Sequence, residues 1–409
     1  MNVKRFLAVA GAVIATLSGG CGGGDSGQAV RFWHFWDNDV IEPMVREFEK
    51  QNPGVKVEVE QLTWQSGLEK IQAAIAAGTQ PDVCELGSTW LPRFSYEGVL
   101  EDLSAVHAEI KDDFMGWESA LWQGGVYGLP WVQGTRVLFF NVDLFVEAGL
   151  DPQRPPVTWD ELLEAAARID ALGEDISGFG LNLGERYVLY KKFMAFAWGN
   201  DGGILDADGN VIYYSLENLE AMEFYRSLAE YSLKEKQEVL DHHFKSGRLG
   251  MQISGAWNIR NYAEEAPELS YRVTRVPRPS RKKGHHGSFT GAEMLVVFKN
   301  SEKKQAALAL ARYLQAYPQA KVLCKAVKSV FPASKAALGD PSFVGNPKMQ
   351  IFVLQSMSSH TPPAHPGWIE MEDIINRSVE EVLYGRKDAK ESLQDASAAL
   401  ERIVEKFRQ

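Results

Sequence analysis

The chain has 409 residues, of which 45% are hydrophobic and 24% charged, and its formal net charge is −11. This composition is typical of globular proteins, and the length corresponds to two or three domains at roughly 150 residues each. The negative charge argues against a nucleic-acid partner, because proteins that bind nucleic acids usually present a basic surface.

The N-terminus has the features of an export signal. Lys4 and Arg5 precede an apolar run from Phe6 to Leu17, which is too short to remain in a bilayer as a spanning helix. We therefore predict a signal peptide over residues 1–20.

The end of this run, LSGGC, resembles a bacterial lipoprotein signal. The resemblance implies a lipid anchor on Cys21, followed by a flexible tether over residues 21–28. The predicted location is outside the cytoplasm, in the periplasm or at the cell surface, with the membrane as a partner through the anchor. A plain secretory signal is the alternative. The other two cysteines, Cys84 and Cys324, are either a disulfide or, as we expect, buried free thiols.

The first part of the mature chain alternates between strand-like and helix-like segments. Residues 30–36 are β-like, residues 41–48 carry apolar side chains at helical spacing, and VKVEVE, a second helix and PDVCEL follow. The order β-α-β-α-β predicts a parallel sheet with right-handed crossovers. Such sheets bind ligands beyond the carboxyl ends of their strands, so Trp36 and Asp37 are expected at the lip of a site.

The remaining elements are less regular. A helix is predicted to begin at Thr158, and the span 160–270 is expected to be mostly helical, interrupted by a hairpin-like turn around residues 208–210. AEMLVVF predicts a strand, a helix follows over about 302–317, and an amphipathic helix is expected near the C-terminus over residues 393–407.

Motifs of common enzymes are absent from the sequence. It contains no GxSxG, HExxH or P-loop pattern and no glycine-rich dinucleotide fingerprint after a strand. The pairs His242-His243 and His285-His286 are adjacent residues, which do not chelate a metal easily. We therefore expect no catalytic residue, no cofactor and no metal.

Tryptophan is the most informative residue type, with eleven in the chain. Several lie beside small or polar residues instead of inside apolar runs, and these are Trp36, Trp90, Trp131, Trp198, Trp257 and Trp368. A flat ring bordered by polar side chains suits a sugar, which has one face of C–H groups and a rim of hydroxyls. Packing in the protein interior is the alternative for each of them.

At these residues the chain resembles the extracellular solute-binding proteins of sugar ABC transporters, in the maltose-binding-protein-like group. The resemblance is carried by LPWVQGTRVLFFNVDLFVEAGL, FKSGRLGMQISGAWNI, HGSFTGAEMLVVFKNSEKKQAALALARYL and HPGWIEMEDIINRSVEEVLYGRKDAKESL. It implies an α/β fold of two lobes, of the type II periplasmic-binding-protein class, with a ligand cleft between them and a hinge of three crossings.

The resemblance also implies how the chain is divided and what it binds. Lobe 1 would comprise residues 29–134 and 290–332, and lobe 2 residues 135–289 and 333–409. The implied function is to bind a mono- or oligosaccharide by lobe closure and to deliver it to an ABC-transporter permease, as a monomer. The implied ligand-binding residues are Trp36, Asp37, Glu85, Trp90, Trp131, Trp198, Asp201, Trp257, Gly291, Glu293 and Trp368.

Two alternatives remain open. One is an exported carbohydrate-active enzyme, because aromatic clefts with carboxylates also serve glycosidases. The other keeps the fold but binds a peptide, a polyamine or a phosphate ester, and an anion would then require Arg136 or Arg186. The basic stretch RVTRVPRPSRKK, residues 272–283, is either a solvated surface loop or a contact for an acidic partner or anionic glycan.

Overall fold

The computed structural model describes residues 29–327 and 330–408. The predicted signal peptide, the tether and Cys21 lie outside these residues. The first part of the described chain contains, in order, β1 (Val30–His34), α1 (Asn38–Gln51), β2 (Val57–Gln61), α2 (Gly67–Ala77), β3 (Val83–Gly87), α3 (Leu91–Tyr96), α4 (Ser104–Ile110), β4 (Leu121–Trp122), β5 (Gly125–Val126) and the long β6 (Leu129–Asn141).

The middle part of the chain returns to the same sheet. It contains α5 (Val142–Glu147), α6 (Trp159–Asp170), β7 (Ser177–Asn182), α7 (Leu189–Gly199), α8 (Leu216–Leu228), β8 (Ser232–Glu235), α9 (Gln237–Lys245), β9 (Leu249–Gly255), α10 (Trp257–Glu265), β10 (Tyr271–Thr274) and β11 (Thr290–Val297). The last part contains α11 (Lys304–Gln315), α12 (Tyr317–Val327), β12 (Phe331–Pro332), α13 (Pro341–Val344), α14 (Pro347–Ser356), α15 (Trp368–Leu383) and α16 (Ala389–Lys406).

The main sheet runs in the order β2-β1-β3-β11-β6-β9-β7-β8, with β10 and β12 also paired to β6. β1 is parallel to β2 and β3, and β11 is antiparallel to β3 and β6. The predicted β-α-β-α-β start is therefore confirmed. Lobe 1 is the half of the molecule built on β1, β2, β3 and their helices, and lobe 2 is the half built on β7, β8, β9 and theirs.

Strand β6 joins the two halves. Up to Thr135 it pairs with β11, where Thr290 lies opposite Thr135, and from Arg136 it pairs with β9, where Gly255 lies opposite Arg136. β12 pairs with the part of β6 that precedes this switch. The chain therefore passes between the halves at neighbouring points. One apolar cluster, around Phe32, extends from lobe 1 to lobe 2 residues such as Phe244, and a second, around Phe193, lies in lobe 2.

The prediction that residues 160–270 are mostly helical was incomplete, because β7, β8 and β9 cross this span. β9 is buried along its whole length and β7 along nearly all of it. Neither strand shows the alternation of a half-exposed strand, and both contain glycine. The start of α6 was predicted correctly: Thr158 caps it, in a capping box with Glu161.

Three further expectations concern the surface and the thiols. Cys84 and Cys324 are buried free thiols, as expected. In the basic stretch, Arg281 pairs with Glu161 at 2.6 Å and Lys283 pairs with Glu220, so acidic groups of lobe 2 itself take up part of its charge. Within the described residues, no helix combines the length and the apolar character needed to cross a membrane.

Candidate functional site

The carboxyl ends of β1 and β3 form the lobe 1 wall of a cleft. The backbone N–H of Phe35 donates to Glu85 Oε2 at 2.7 Å, which holds the end of β1 against β3. Glu85 is fully buried, and its pKa is raised well above the usual range, first by burial and then by the nearby charge of Glu293. The half-buried Trp36 indole lies close enough to lower this pKa, although its N–H makes no hydrogen bond of good geometry.

Glu293 comes to the same place from β11. It lies opposite Gly87 of β3, and a Cβ atom at position 87 would be in ordinary van der Waals contact with Glu293 Oε2, at 3.7 Å. Burial raises the pKa of Glu293 to about 7, although Lys191 and Arg136 act to lower it. Its Oε2 atom is buried without a hydrogen-bond partner.

The lobe 2 wall begins with Arg136, directly after the switch in β6. Its guanidinium lies 4.5 Å from the ring centroid of Trp257 and 5.5 Å from that of Phe289. Burial lowers the pKa of Arg136 to about 10, so the group stays positively charged. Position 255 must be glycine for this arrangement, because a Cβ atom there would lie 1.8 Å from the Trp257 ring.

Helices α7 and α15 contribute the rest of the lobe 2 wall. The indole N–H of Trp368 donates to Glu372 Oε2 at 3.1 Å, and Tyr190 packs edge-on against Trp368 with ring centroids 5.5 Å apart. Burial raises the pKa of Glu372 to about 7, while it lowers that of Lys191 to about 8. The ammonium of Lys191 lies 4.9 Å from the centroid of Phe289.

Five charged side chains from the two lobes thus lie close enough to shift one another's pKa values, and we call them the cleft cluster: Glu85, Arg136, Lys191, Glu293 and Glu372. No two of them form a direct ion pair or hydrogen bond within the described chain. The cleft cluster and its neighbours contain buried polar atoms that have no hydrogen-bond partner. These atoms are Glu85 Oε1, Glu293 Oε2, Glu372 Oε1, Tyr190 Oη and Trp36 Nε1. Because buried polar groups are normally hydrogen-bonded, this unmet capacity marks a place for a hydroxyl-rich ligand.

The lobes touch each other beside this cluster. Trp90 of lobe 1 packs edge-on against Tyr187 of lobe 2 with ring centroids 5.8 Å apart, and Arg186 lies 3.6 Å from Glu69. Tyr96 of α3 likewise meets Phe407 after α16, at 5.1 Å. The structure therefore represents a closed arrangement of the lobes.

Several of the predicted residues come together in this cleft. Glu85 and Glu293 belong to the cleft cluster, while Trp36 and Trp257 are half-buried beside it. Trp90 lies next to the cleft but is only 2% exposed, because it packs against Phe35 and Trp64. Its predicted role in stacking on a ligand is therefore corrected to packing between the lobes.

Two further predicted residues are less informative. Gly291 lies opposite Gly134, where β11 pairs with β6 just before the switch. A Cβ atom at position 291 would come within 2.8 Å of the Phe289 ring. Asp37 is exposed and makes no side-chain hydrogen bond at the start of α1, so its predicted role in ligand binding has no further support.

The structure does not bring Trp131 or Trp198 to the cluster. Trp131 is fully buried in the apolar cluster of lobe 1, with its ring 6.4 Å from Phe32, which corrects the prediction that it stacks on a ligand. Trp198 stacks on His360 at 5.6 Å. Asp201, also predicted, is exposed and lies 3.3 Å from His285 Nδ1, beside that pair and not in the cleft.

Trp368 lies next to the cleft but is only 1% exposed. Its ring is enclosed by lobe 2, and its N–H is already used by Glu372. The predicted stacking role is therefore corrected to that of a residue that positions Glu372.

Sequence reasoning missed Lys191, Tyr190 and Glu372, and it considered Arg136 only for an anionic ligand. One signal was present: LYKKFMAFAWG places two lysines in an otherwise apolar helix. Glu372 follows Trp368 by one helical turn, which is the spacing of side chains that touch on a helix. Within the described residues, no group of three or more His, Cys, Asp or Glu side chains is arranged to hold a metal ion.

Two lobes on a shared sheet and a polar cleft between them define a binding protein that closes on its ligand. Residues 37–321 match the model of the family described as bacterial extracellular solute-binding protein, and this chain belongs to that family.

Several relatives are similar along almost the whole chain. A protein of Brucella abortus (strain 2308), whose name gives no ligand, is 28% identical over 99% of this chain and 100% of its own. The galactooligosaccharide-binding protein of Bacillus subtilis (strain 168) is 26% identical over 87% of this chain and 85% of its own. Among solved structures, the sugar-binding protein MalE of Xanthomonas citri is 28% identical and covers 93% of this chain and 98% of its own, with a TM-score of 0.80.

Proposed function

We propose that this protein binds a carbohydrate in the cleft between its lobes and delivers it to the permease of an ABC transporter. The observation that carries the proposal is the cleft cluster, whose carboxyl groups keep unpartnered oxygens in a buried space between two half-buried indoles, Trp36 and Trp257. Carboxyl and cationic groups can hydrogen-bond to sugar hydroxyls, and indole rings can pack against the C–H face of a pyranose.

The interaction free energies that the cleft can supply are large enough for micromolar binding of a saccharide. Micromolar affinity corresponds to about 8 kcal/mol of net binding free energy. Two stacked rings contribute roughly 0.5–1.5 kcal/mol each beyond area burial, and each hydrogen bond to a charged group contributes roughly 1.5–3 kcal/mol. Two rings and three or four such bonds therefore supply about this amount.

The names of relatives support the ligand class. The Bacillus subtilis relative is named for galactooligosaccharides and the Xanthomonas citri structure for sugar. Each is less than 30% identical to this chain, so the particular saccharide and its length are not carried over.

The proposal includes the location and the mechanism. Cys21 would carry a lipid that holds the protein, as a monomer, outside the membrane near its permease. The lobes would comprise residues 29–134 with 290–332, and residues 135–289 with 333–409. Ligand that touches both lobes stabilises the closed state, and the permease recognises that state, because a ligand shifts a conformational equilibrium only by its differential affinity. No cofactor takes part.

A thermal-shift panel of neutral and charged mono- to trisaccharides tests the proposal. A sugar at 100 times its dissociation constant adds about 2.7 kcal/mol of stability, which raises the melting temperature by several degrees. A shift with at least one saccharide is expected. No shift with any saccharide, together with a shift with an amine or a peptide, would contradict the proposal.

A carbohydrate-active enzyme is the second candidate, because Glu85 and Glu293 are two buried acids in one cleft with raised pKa values. We propose binding without turnover. Incubation of an oligosaccharide that binds with micromolar protein, followed by an assay for reducing ends, is expected to show no release above that of a Glu293→Gln variant. Release that depends on Glu293 would favour the enzyme.

A further inference from the structure

Two cations in the cleft lie near acids but have no carboxylate within 4.0 Å. The only hydrogen bond of the Arg136 side chain goes to the carbonyl oxygen of Thr135 at 3.3 Å, and its other contacts are with the rings of Trp257 and Phe289. Lys191 contacts the rings of Tyr190 and Phe289. Neither forms an ion pair within the part of the chain that the structure describes.

Other cations near the cleft are already engaged. Arg186 pairs with Asp373 at 3.0 Å and approaches Glu69, and Lys192, the neighbour of Lys191, donates to Gln237. Buried charges are rarely left without a partner in proteins, because removing a charge from water is unfavourable. Arg136 and Lys191 differ from these other cations in that their charged ends contact mainly aromatic rings, so both remain able to bind an anion directly.

The acids of the cleft cluster lie near these cations without pairing directly with them. Burial raises the pKa of Glu85 well above its usual range and those of Glu293 and Glu372 to about 7, so near neutral pH they are partly protonated. A carboxyl group can hydrogen-bond to hydroxyls in either state, as an acceptor when ionised and as donor and acceptor when protonated. The cluster thus combines carboxyl groups that can bind hydroxyls with two cations that no carboxylate contacts directly.

We propose that the ligand is a saccharide that carries one anionic group, a carboxylate or a phosphate, and that Arg136 and Lys191 bind this group. This inference rests on the proposed function and specifies its substrate class. The guanidinium is held between Trp257 and Phe289, so its planar set of N–H donors is fixed before the ligand arrives. Such a fixed fork suits a carboxylate or phosphate, and the lysine adds a second positive charge.

Calorimetric titration with matched pairs of sugars tests the inference. The pairs are D-glucose with D-glucuronate, D-galactose with D-galacturonate, glucose with glucose 6-phosphate, and cellobiose with cellobiouronate, so that each anionic member carries a single anionic group. We expect at least one anionic member to bind at least about tenfold more tightly than its neutral counterpart, as hydrogen bonds to charged groups imply. Comparison of the uronates with glucose 6-phosphate shows whether the cleft prefers a carboxylate or a phosphate.

The outcomes separate this inference from the proposed function. If neutral sugars bind and every anionic counterpart binds equally or more weakly, the inference is wrong while the proposed function stands. If no saccharide binds here or in the thermal-shift panel while an amine or a peptide does, both are contradicted.

A variant links the preference to the cleft. Lys191→Met removes the charge and keeps a chain of similar length, and it should lower the ratio of the affinity for the anionic ligand to the affinity for its neutral counterpart at least about tenfold. The matched control is Lys299→Met at an exposed position, which should change neither. An equal loss for both ligands in Lys191→Met would overturn the assignment.

Discussion

The cleft and the interior of lobe 1 both contain tryptophan, and the two regions use it differently. Trp257 is half-buried, covers Gly255 and stacks on a guanidinium whose remaining donors are free. Trp131 is fully buried with apolar neighbours such as Phe32. Both follow a small residue or proline in the sequence, so the residues next to a tryptophan do not reveal its role. What distinguishes the two is whether charged groups from distant parts of the chain converge on the ring.

The largest expected effect lies in the interior. Trp131→Ala removes a fully buried ring and should lower the free energy of unfolding by about 3–5 kcal/mol. Trp257→Ala removes a half-buried ring and should cost much less. Urea denaturation followed by circular dichroism measures both variants, and equal losses would remove the contrast between the two regions.

The second effect is on ligand affinity, where a change at Trp257 should matter more than a change at Trp131. Trp257→Ala should weaken the best saccharide of the thermal-shift panel about 10- to 100-fold, because a stacked ring and the support of Arg136 are lost together. Trp131→Phe, which keeps most of the buried volume, should bind it within about twofold of the unchanged protein. Titration calorimetry at one temperature measures the saccharide affinity of both variants. Retention of full affinity by Trp257→Ala would show that the cleft has been misidentified.

The third effect concerns pH and separates the cleft acids from acids on the surface. In the closed lobes the pKa values of Glu293 and Glu372 rise from 4.5 to about 7, so the folded state binds more protons than the unfolded state between these values. The stability that these protons contribute is fully present below about pH 4.5 and is lost as the pH rises through about 7.

Without ligand, the melting temperature should therefore fall between about pH 5 and pH 8, and the fall should be smaller in Glu293→Gln and Glu372→Gln. Differential scanning calorimetry at several pH values measures this fall in melting temperature. Glu164→Gln, at an exposed position, is the control and should leave the fall unchanged. The same fall in the Glu293→Gln, Glu372→Gln double variant would assign the pH dependence to other groups.

The smallest effect is expected at the rim of the cleft. The pair between Glu69 and Arg186 crosses from one lobe to the other, but both side chains are more than half exposed. Exposed pairs contribute about 0–1 kcal/mol, so Glu69→Gln should lower ligand affinity by at most about fivefold, and less at high salt. Glu42→Gln breaks an exposed pair within α1 and should have no effect on affinity. A loss far above fivefold would mean that the rim and not the cleft cluster controls binding.

The sequence was most informative where local patterns determine the structure. The β-α-β-α-β start, the cap at Thr158 and the C-terminal helix follow from periodicity and capping chemistry. Strands β7 and β9 were missed because a short, buried strand has no alternating pattern to detect. The closed cleft itself depends on contacts such as that between Trp90 and Tyr187, which no local pattern encodes.

The candidate site was predictable only in part, because it also depends on contacts between elements that are far apart in the sequence. Trp36, Glu85, Trp257 and Glu293 were named from their motifs, whereas Lys191 and Glu372 were not. Lys191 lies in an otherwise apolar helix and Glu372 in an amphipathic one, and neither pattern shows which distant residues pack against the helix. Their pKa shifts arise from burial by elements far apart in the sequence. Trp131 was misassigned because residues beside it in the sequence do not report what packs across the sheet.

A crystal structure with the tightest saccharide of the panel tests the central claim most directly. We predict that the sugar lies between the lobes, with a ring against Trp257 or Trp36 and with hydroxyls within hydrogen-bond distance of Glu85, Glu293 or Glu372. A sugar bound on an outer surface, with the cleft cluster empty, would contradict the account.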